Sequence, residues 1–347
     1  MNLLEASIEN IQQAMSSGSL TAVRLTQFYL DRIAAYDQQG PGLNSIRVLN
    51  DDVQQQAAAL DDERSRRGAR SMLHGIPILV KDNYETRGMP TTVGSVLFKG
   101  FAPDRDAYLV SKLQNAGALL LEKTNMQEFA YGITNVGSIH GFTRNPYDPK
   151  RNPGGSSGGT GAAVAANFAV TGLGSDTCGS IRIPAAQNNL VGLRGTQGLM
   201  SRRGIFPLSS TQDIGGPLTK SVRDLAIMLD QMIGYDAKDA QTAESFGHNF
   251  QFLANLQTRT KVRIGLLSDW MEREEGDEAV AGVIRDTLTA MSEKASWEIK
   301  ELESAELENS LDRPLEGYFV SAYDFKQDVN AYLGANPELG FADLDEL

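Results

Sequence analysis

The chain has 347 residues, of which 41% are hydrophobic, enough to build one large α/β domain or two modest ones around a substantial core. A formal net charge of −12 and a pI near 4.8 argue against a nucleic-acid surface or an anionic membrane as partner. One cysteine, Cys178, rules out an internal disulfide framework and suits a cytoplasmic setting; there is no run of about 18 apolar residues and no basic-then-apolar amino terminus.

Taken in order, the pattern predicts an amphipathic helix over Leu4–Met15, stopped by Ser16, Ser17 and Gly18, and a second from Thr21 with Leu25, Phe28, Tyr29, Ile33 and Tyr36 on one face. Ser45–Leu49 reads as a strand and Asp51–Arg67 as a helix stopped near Gly68, so residues 1–70 are mainly helical. The apolar run Gly75–Val80 is a buried strand, Tyr84–Asp104 a loop, Tyr108–Ala116 a helix and Ala118–Glu122 a further strand. Such alternation predicts an α/β fold with a mixed, mostly parallel sheet covered by helices on both faces. A long loop, Ile133–Gly154, leads into the serine-rich stretch described below; Gly192–Pro217 is glycine-rich, Ser221–Ile233 helical, and Asp236–Phe252 a polar surface excursion. Lys261–Leu267 and Trp297–Leu302 read as strands around a helix, Asp277–Met291, whose Val280, Val283, Ile284, Leu288 and Met291 align. Tyr318–Leu333 is a last amphipathic helix, and no internal repeat appears.

The chemistry concentrates between Asn152 and Ala186, where two serine-bearing glycine turns flank an apolar segment. Ser156 and Ser157 lie in Pro153–Gly159, and Ser180 closes the run Asp176, Thr177, Cys178, Gly179. A glycine-serine run alone suits a flexible linker, but this one runs straight into Gly161–Ala169, which reads as a buried helix. Amides at such a helix start favour negative charge, and the successive amides of Thr177, Cys178, Gly179 and Ser180 lie where an oxyanion hole would need them. Ser180 is therefore the candidate nucleophile. Its base is not obvious, because His74, His140 and His248 each fit a surface or turn role better than catalysis. Lys81 is the stronger candidate: it stands at the carboxyl end of a buried strand, where burial disfavours the charged amine and substrates of open sheets gather.

Together, Lys81 in GIPILVKDN, the turn PGGSSGGTG and the turn SDTCGSIRIPA resemble the amidase signature family. The likeness runs from about Leu20 to Asp236 and more weakly to the end, as one amidase domain over 1–347. It implies hydrolysis of a linear carboxamide through an acyl-enzyme on Ser180, with Ser156 as a bridging serine reached through a cis Gly155–Ser156 peptide and Lys81 as terminal base. It further implies Thr177, Cys178, Gly179 and Ser180 as oxyanion donors, Ser157 orienting Lys81 or Ser156, and Asp176 and Arg182 bracing the turn. The stretch Lys123–Gly132 also resembles the family and offers Tyr131 as a substrate contact. The relay implies no cofactor and no metal; the expected partner is a small-molecule or peptide amide, with a homo-oligomer left open.

Two departures stand out. Cys178 occupies a position where the family often has glycine, which matters if the backbone there needs a positive φ. Around Asn336–Leu344 the chain resembles a segment after which family members continue, so it is expected to lack their C-terminal portion. Three alternatives accompany the leading reading: a glutaminase-type subunit of an amidotransferase, whose relatives often have glutamine where this chain has Ile183; an inactive remnant; and a hydrolase elbow with Ser157 as nucleophile and His248 as base.

Overall fold

The computed structural model describes residues 2–257, 261–271, 276–295, 297–302 and 320–347. They fall into two compact units, one of residues 1–254 with 320–347 and one of residues 255–319. In the first, helices α1 (Ile8–Ser16) and α2 (Ala22–Tyr36) are capped by the side chains of Ser7 and Thr21, which accept the amides of Asn10 and Arg24. Strand β1 (Ile46–Leu49), helix α3 (Val53–Arg67), strand β2 (Pro77–Lys81), helix α4 (Tyr108–Asn115) and strand β3 (Leu119–Thr124) follow. The long loop carries a small hairpin, β4 (Val136–Gly137) and β5 (Gly141–Phe142). Then come helix α5 (Gly158–Ala165), strand β6 (Thr171–Asp176), helix α6 (Arg182–Gln187), strands β7 (Val191–Gly192) and β8 (Ile214–Thr219), and helix α7 (Val222–Met232).

The main sheet has the order β1-β3-β2-β6-β8-β7. Strands β3, β2 and β6 are parallel, β8 runs against β6, and β7 runs against β8, so only β1 and β8 oppose the rest. This is the expected α/β fold with a mixed, mostly parallel sheet. Strands β2, β3, β6 and β8 are buried along their whole length, and α2, α3, α5 and α7 pack on them.

Strand β6 is the central strand that the sequence pattern does not announce. Its residues, TGLGSD, carry two glycines where β-branched residues would be usual. Packing explains both. A Cβ at Gly172 would stand 2.6 Å from Thr160 of α5, and one at Gly174 would stand 2.8 Å from the Ser157 hydroxyl oxygen. The missing side chains let α5 and the first serine turn settle directly onto the strand. Helix α5 itself begins at Gly158 and ends at Ala165, earlier than the apolar run Gly161–Ala169 suggests, because Asn167 turns the chain at φ +60°.

The second unit pairs β9 (Arg263–Leu266) with β10 (Glu298–Glu301) in parallel beside α8 (Glu278–Ala295). On that helix Ala281 is buried whereas Val280 and Val283 are exposed, so the aligned apolar face is not the covered one. The last helix, α9 (Val320–Ala335), belongs to the first unit; residues 318 and 319 of its expected span lie outside the described residues. Its Val329 and Leu333 are buried with Val93, Phe98, Met126 and Phe206 in a separate core cluster. Among the described residues, no helix is long and apolar enough to cross a membrane.

Candidate active site

Strand β2 ends on Lys81, whose side chain is wholly buried. Its Nζ lies 2.7 Å from the Ser156 hydroxyl and 2.9 Å from the Ser175 hydroxyl. Ser175 also accepts a hydrogen bond from the Asn83 side-chain amide at 2.9 Å. Burial lowers the Lys81 pKa to about 7, outweighing the pull of the Asp176 and Asp213 carboxylates toward the charged form. An amine that is half neutral near pH 7 and touches a serine hydroxyl can take that hydroxyl's proton.

Ser156 follows a cis peptide, Gly155–Ser156, in a turn that has no room for a larger residue. A Cβ at Gly155 would lie 3.0 Å from the Asn135 amide nitrogen and from the Ile133 carbonyl carbon. The Ser156 carbonyl accepts the Gln127 amide at 3.1 Å, and the next amide, that of Ser157, donates to the Ser180 carbonyl at 3.2 Å. The two serine turns are thereby tied back to back. Ser180 itself is nearly buried, and its hydroxyl has no hydrogen-bond partner among the described residues.

The second turn is organised by Asp176. This buried carboxylate accepts the amides of Gly179 at 2.7 Å and Ile181 at 3.1 Å, and pairs with Arg182 at 3.1 Å and Arg194 at 3.2 Å. Burial alone would raise its pKa, but the Arg182 hydrogen bond and the two amides bring it below the usual carboxylate value. Asp176 and Arg182 thus make contacts within the turn itself. Gly179 is different: its amide is already given to Asp176, so it is not free to hold an oxyanion. The amides of Thr177, Cys178 and Ser180 have no acceptor among the described residues. The concern over Cys178 also resolves, because the positive φ of this turn, +128°, falls on Gly179 and not on Cys178. Burial and the nearby Asp176 charge raise the Cys178 thiol pKa, which disfavours the thiolate a nucleophile needs.

Ser157 does not touch Lys81 or Ser156 through its side chain. Its hydroxyl donates to the Ser175 carbonyl at 3.2 Å and accepts the Ser175 amide at 3.3 Å, because Gly174 leaves it room against β6. The hydroxyl that accompanies Lys81 is that of Ser175, which the sequence pattern does not single out. Asn83, Arg194 and Asp213 escape sequence reasoning as well; Asp213 accepts the Thr177 hydroxyl and the amides of Leu208 and Ser209. Tyr131 is half exposed, with its ring 5.5 Å from that of Phe325. Those two rings and Gln127, Glu128, Phe129 and Ala322 line a hollow of about 440 Å³.

None of the three histidines joins this cluster. His74 is fully buried rather than at the surface, its Nε2 at 2.9 Å from the Leu60 carbonyl and its Nδ1 accepting the Arg70 amide, a structural role. His248 packs its ring near Phe250. The elbow reading fails on geometry, since no strand immediately precedes Ser157 and its hydroxyl is engaged with β6. The amides at the start of α5 are also engaged: Gly158 donates to the Asn135 side chain at 2.8 Å and Gly159 to the Asn125 carbonyl at 3.1 Å. Among the described residues no cluster of three or more His, Cys, Asp or Glu is arranged to hold a metal.

Comparison with known proteins points the same way as this geometry. One subunit of the glutamyl-tRNA(Gln) amidotransferase of Marinomonas sp. (strain MWYL1) is 38% identical over 310 residues, which cover 89% of this chain and 62% of that protein. The chain thus spans less than two thirds of the length of this relative. The crystal structure of an amidase family protein from Bacillus anthracis str. Ames superposes with a TM-score of 0.88 at 35% identity, covering 99% of this chain and 68% of that one. The peptide amidase of Stenotrophomonas maltophilia superposes with a TM-score of 0.80 at 36% identity, covering 98% of this chain and 73% of that one. The Amidase family model matches residues 24–347, and the chain belongs to the amidase signature family.

Proposed function

We infer that the protein is an amidohydrolase that cleaves a linear carboxamide to a carboxylic acid and ammonia or an amine. The observation that carries this reading is the contact of 2.7 Å between Lys81 Nζ and Ser156 Oγ, in a buried site that lowers the lysine pKa to about 7. Neutral Lys81 accepts the Ser156 proton, and Ser156 accepts that of Ser180 as the Ser180 oxygen bonds to the substrate carbonyl carbon. The carbonyl electron pair moves onto oxygen, where the free amides of the 177–180 turn offer donors. Collapse breaks the C–N bond, and the leaving nitrogen takes a proton returned through Ser156. Water then attacks the Ser180 ester by the same relay, which releases the acid and restores the hydroxyl.

The similarity to a peptide amidase favours a peptide amide as substrate, and the aromatic hollow around Tyr131 and Phe325 offers it an apolar wall. A glutaminase-type role in an amidotransferase is the second reading, favoured by the Marinomonas relative. It requires a partner chain, whereas the leading reading does not.

The test is intact mass after exposure to a broad fluorophosphonate, followed by a partner-free screen of peptide, aryl and aliphatic amides and of glutamine. One adduct on Ser180, absent from Ser180→Ala, with turnover of an amide other than glutamine, supports the hydrolase. Turnover of glutamine alone supports the second reading. A folded protein that takes no adduct overturns both.

A further inference from the structure

Helix α9 stands far along the chain from the serine turns, yet it grips the loop that holds one of them. The loop is residues 208–213. On its inner side, Asp213 accepts the amides of Leu208 and Ser209 at 2.8 and 2.9 Å with one carboxylate oxygen and the Thr177 hydroxyl with the other. The Gln212 carbonyl accepts Arg194 at 2.6 Å, and the same guanidinium reaches Asp176. Both anchors of the Thr177–Ser180 turn, Asp213 and Arg194, are therefore set by where this loop sits.

On its outer side the loop is held by two carboxylates of α9. Asp324 accepts the Ser209 hydroxyl at 2.6 Å and the Thr211 hydroxyl at 2.5 Å through one oxygen, and Asp328 accepts the Ser210 amide at 2.6 Å. These hydroxyl donors bring the Asp324 pKa below its usual value, as expected of an anion that its surroundings stabilise. The helix has its own footing. Phe325 packs against Phe129 at 6.3 Å between ring centres, Tyr332 against Phe206 at 4.9 Å, and Val329 and Leu333 are buried. A packed helix, three charge-assisted bonds to its two carboxylates and a loop tied on its inner side to Thr177 and Arg194 make a continuous path to the oxyanion side of the site.

We propose that Asp324 is a positioning residue of the active site, which holds the 208–213 loop and through Asp213 and Arg194 fixes the geometry of the Thr177–Ser180 turn. The proposal rests on the hydrolase reading for its effect on rate but not for its effect on structure. The test therefore uses two readouts. Cys178, the sole cysteine of the chain, lies within the turn and is exposed, so the rate of its alkylation by iodoacetamide reports the turn whether or not the protein is an enzyme. The rate at which a fluorophosphonate labels Ser180 reports the chemistry.

In Asp324→Ala we expect Cys178 to react at least about threefold faster and Ser180 at least about tenfold slower, less than the ~10²–10³ of losing an oxyanion donor outright. Asp324→Asn, whose side-chain oxygen still accepts both hydroxyls, restores both rates to within about twofold of wild type. Where Asp324→Ala does not fold, the double variant Ser209→Ala, Thr211→Val removes the two donors instead and is expected to give the same pair of changes. Unchanged Cys178 reactivity in a folded variant of either kind overturns the proposal. Wild-type protein that takes no label on Ser180 overturns the hydrolase reading while the Cys178 comparison still decides this one.

Discussion

The Lys81 amine and the Ser175 hydroxyl meet at 2.9 Å although 94 positions separate them in the chain, because β2 and β6 run parallel and end on the same edge of the sheet. Ser175 is held in turn by Asn83, so a second hydroxyl and an amide fix the direction in which the lysine lone pair can point.

The rate should carry an acid limb set by Lys81. The native pKa of about 7 lies below the ordinary 10.5, so the amine is a base only above about pH 7. As an expected outcome, kcat/KM falls about tenfold for each unit below that value and levels off above it. Lys81→Ala removes the limb with most of the activity. The same shift has a stability counterpart. The unfolded chain binds this proton and the native one does not between about 7 and 10.5, so this group's contribution to stability rises with pH through that window. A denaturation midpoint followed across that range, against Lys81→Met, checks the sign.

Ser175→Ala should lower kcat by up to about 100-fold, the cost of a general base misplaced by about 1 Å. It also removes an acceptor from the charged amine, so the acid limb moves to lower pH. Ser175→Thr keeps the hydroxyl and is expected to keep the wild-type limb. A pH–rate profile of the three proteins makes the comparison.

Gly174→Ala should destabilise the fold as well as slow it. The new Cβ would sit 2.8 Å from Ser157 Oγ and from Leu218 Cδ1, inside contact distance of both. Overpacking of this sort costs about 1–3 kcal/mol, readable as a lower urea midpoint with an unchanged slope.

Cys178→Ala should retain activity to within about twofold, since only the amide at that position is assigned a role and a Cβ is already present there. Cys178→Gly, by contrast, frees a backbone that has no positive φ to accommodate, and a modest loss of stability is expected, about 0.5–1 kcal/mol. Steady-state rates and thermal midpoints of the two variants separate these effects.

The parts of the site legible in the sequence were those that carry their own local signal. Lys81 follows a short apolar run that reads as a buried strand, and the serine turns announce themselves by glycine. Ser175, Asn83, Asp213 and Arg194 carry no such signal, because the contacts of Ser175 with Lys81 and Asn83, of Asp213 with Thr177 and of Arg194 with Asp176 join segments that only the fold brings together. Ser175 and Asn83 were nevertheless within reach: they sit beside Asp176 and two positions after Lys81, at the ends of neighbouring strands. The strands β6 and β8 were harder to see. Their sequences, TGLGSD and IGGPLT, lack the β-branched pattern of a strand, since a Cβ at Gly215 would strike the Tyr84 hydroxyl at 2.6 Å just as one at Gly174 would strike Ser157. Positions given over to close approach cannot also carry an obvious period. Ser157 is committed to a strand neighbour, Ser175, that only the folded sheet supplies, whereas the Gly179 amide is taken by Asp176 three positions before it, a local contact.

The parallel pairing of β2 with β6 also orders events in time. During synthesis Lys81 leaves the ribosome well before Ser156, Ser175 or Ser180 exist, and its strand lacks the neighbour on which the site depends. Contacts of such long sequence separation carry a larger loop-closure cost than the local contacts within a helix, and so slow folding. Without β6 the lysine would lack both the burial that lowers its pKa and the Ser175 hydroxyl beside it. The contact between Lys81 and the serines, on which the proposed relay depends, therefore exists only once the sheet has closed.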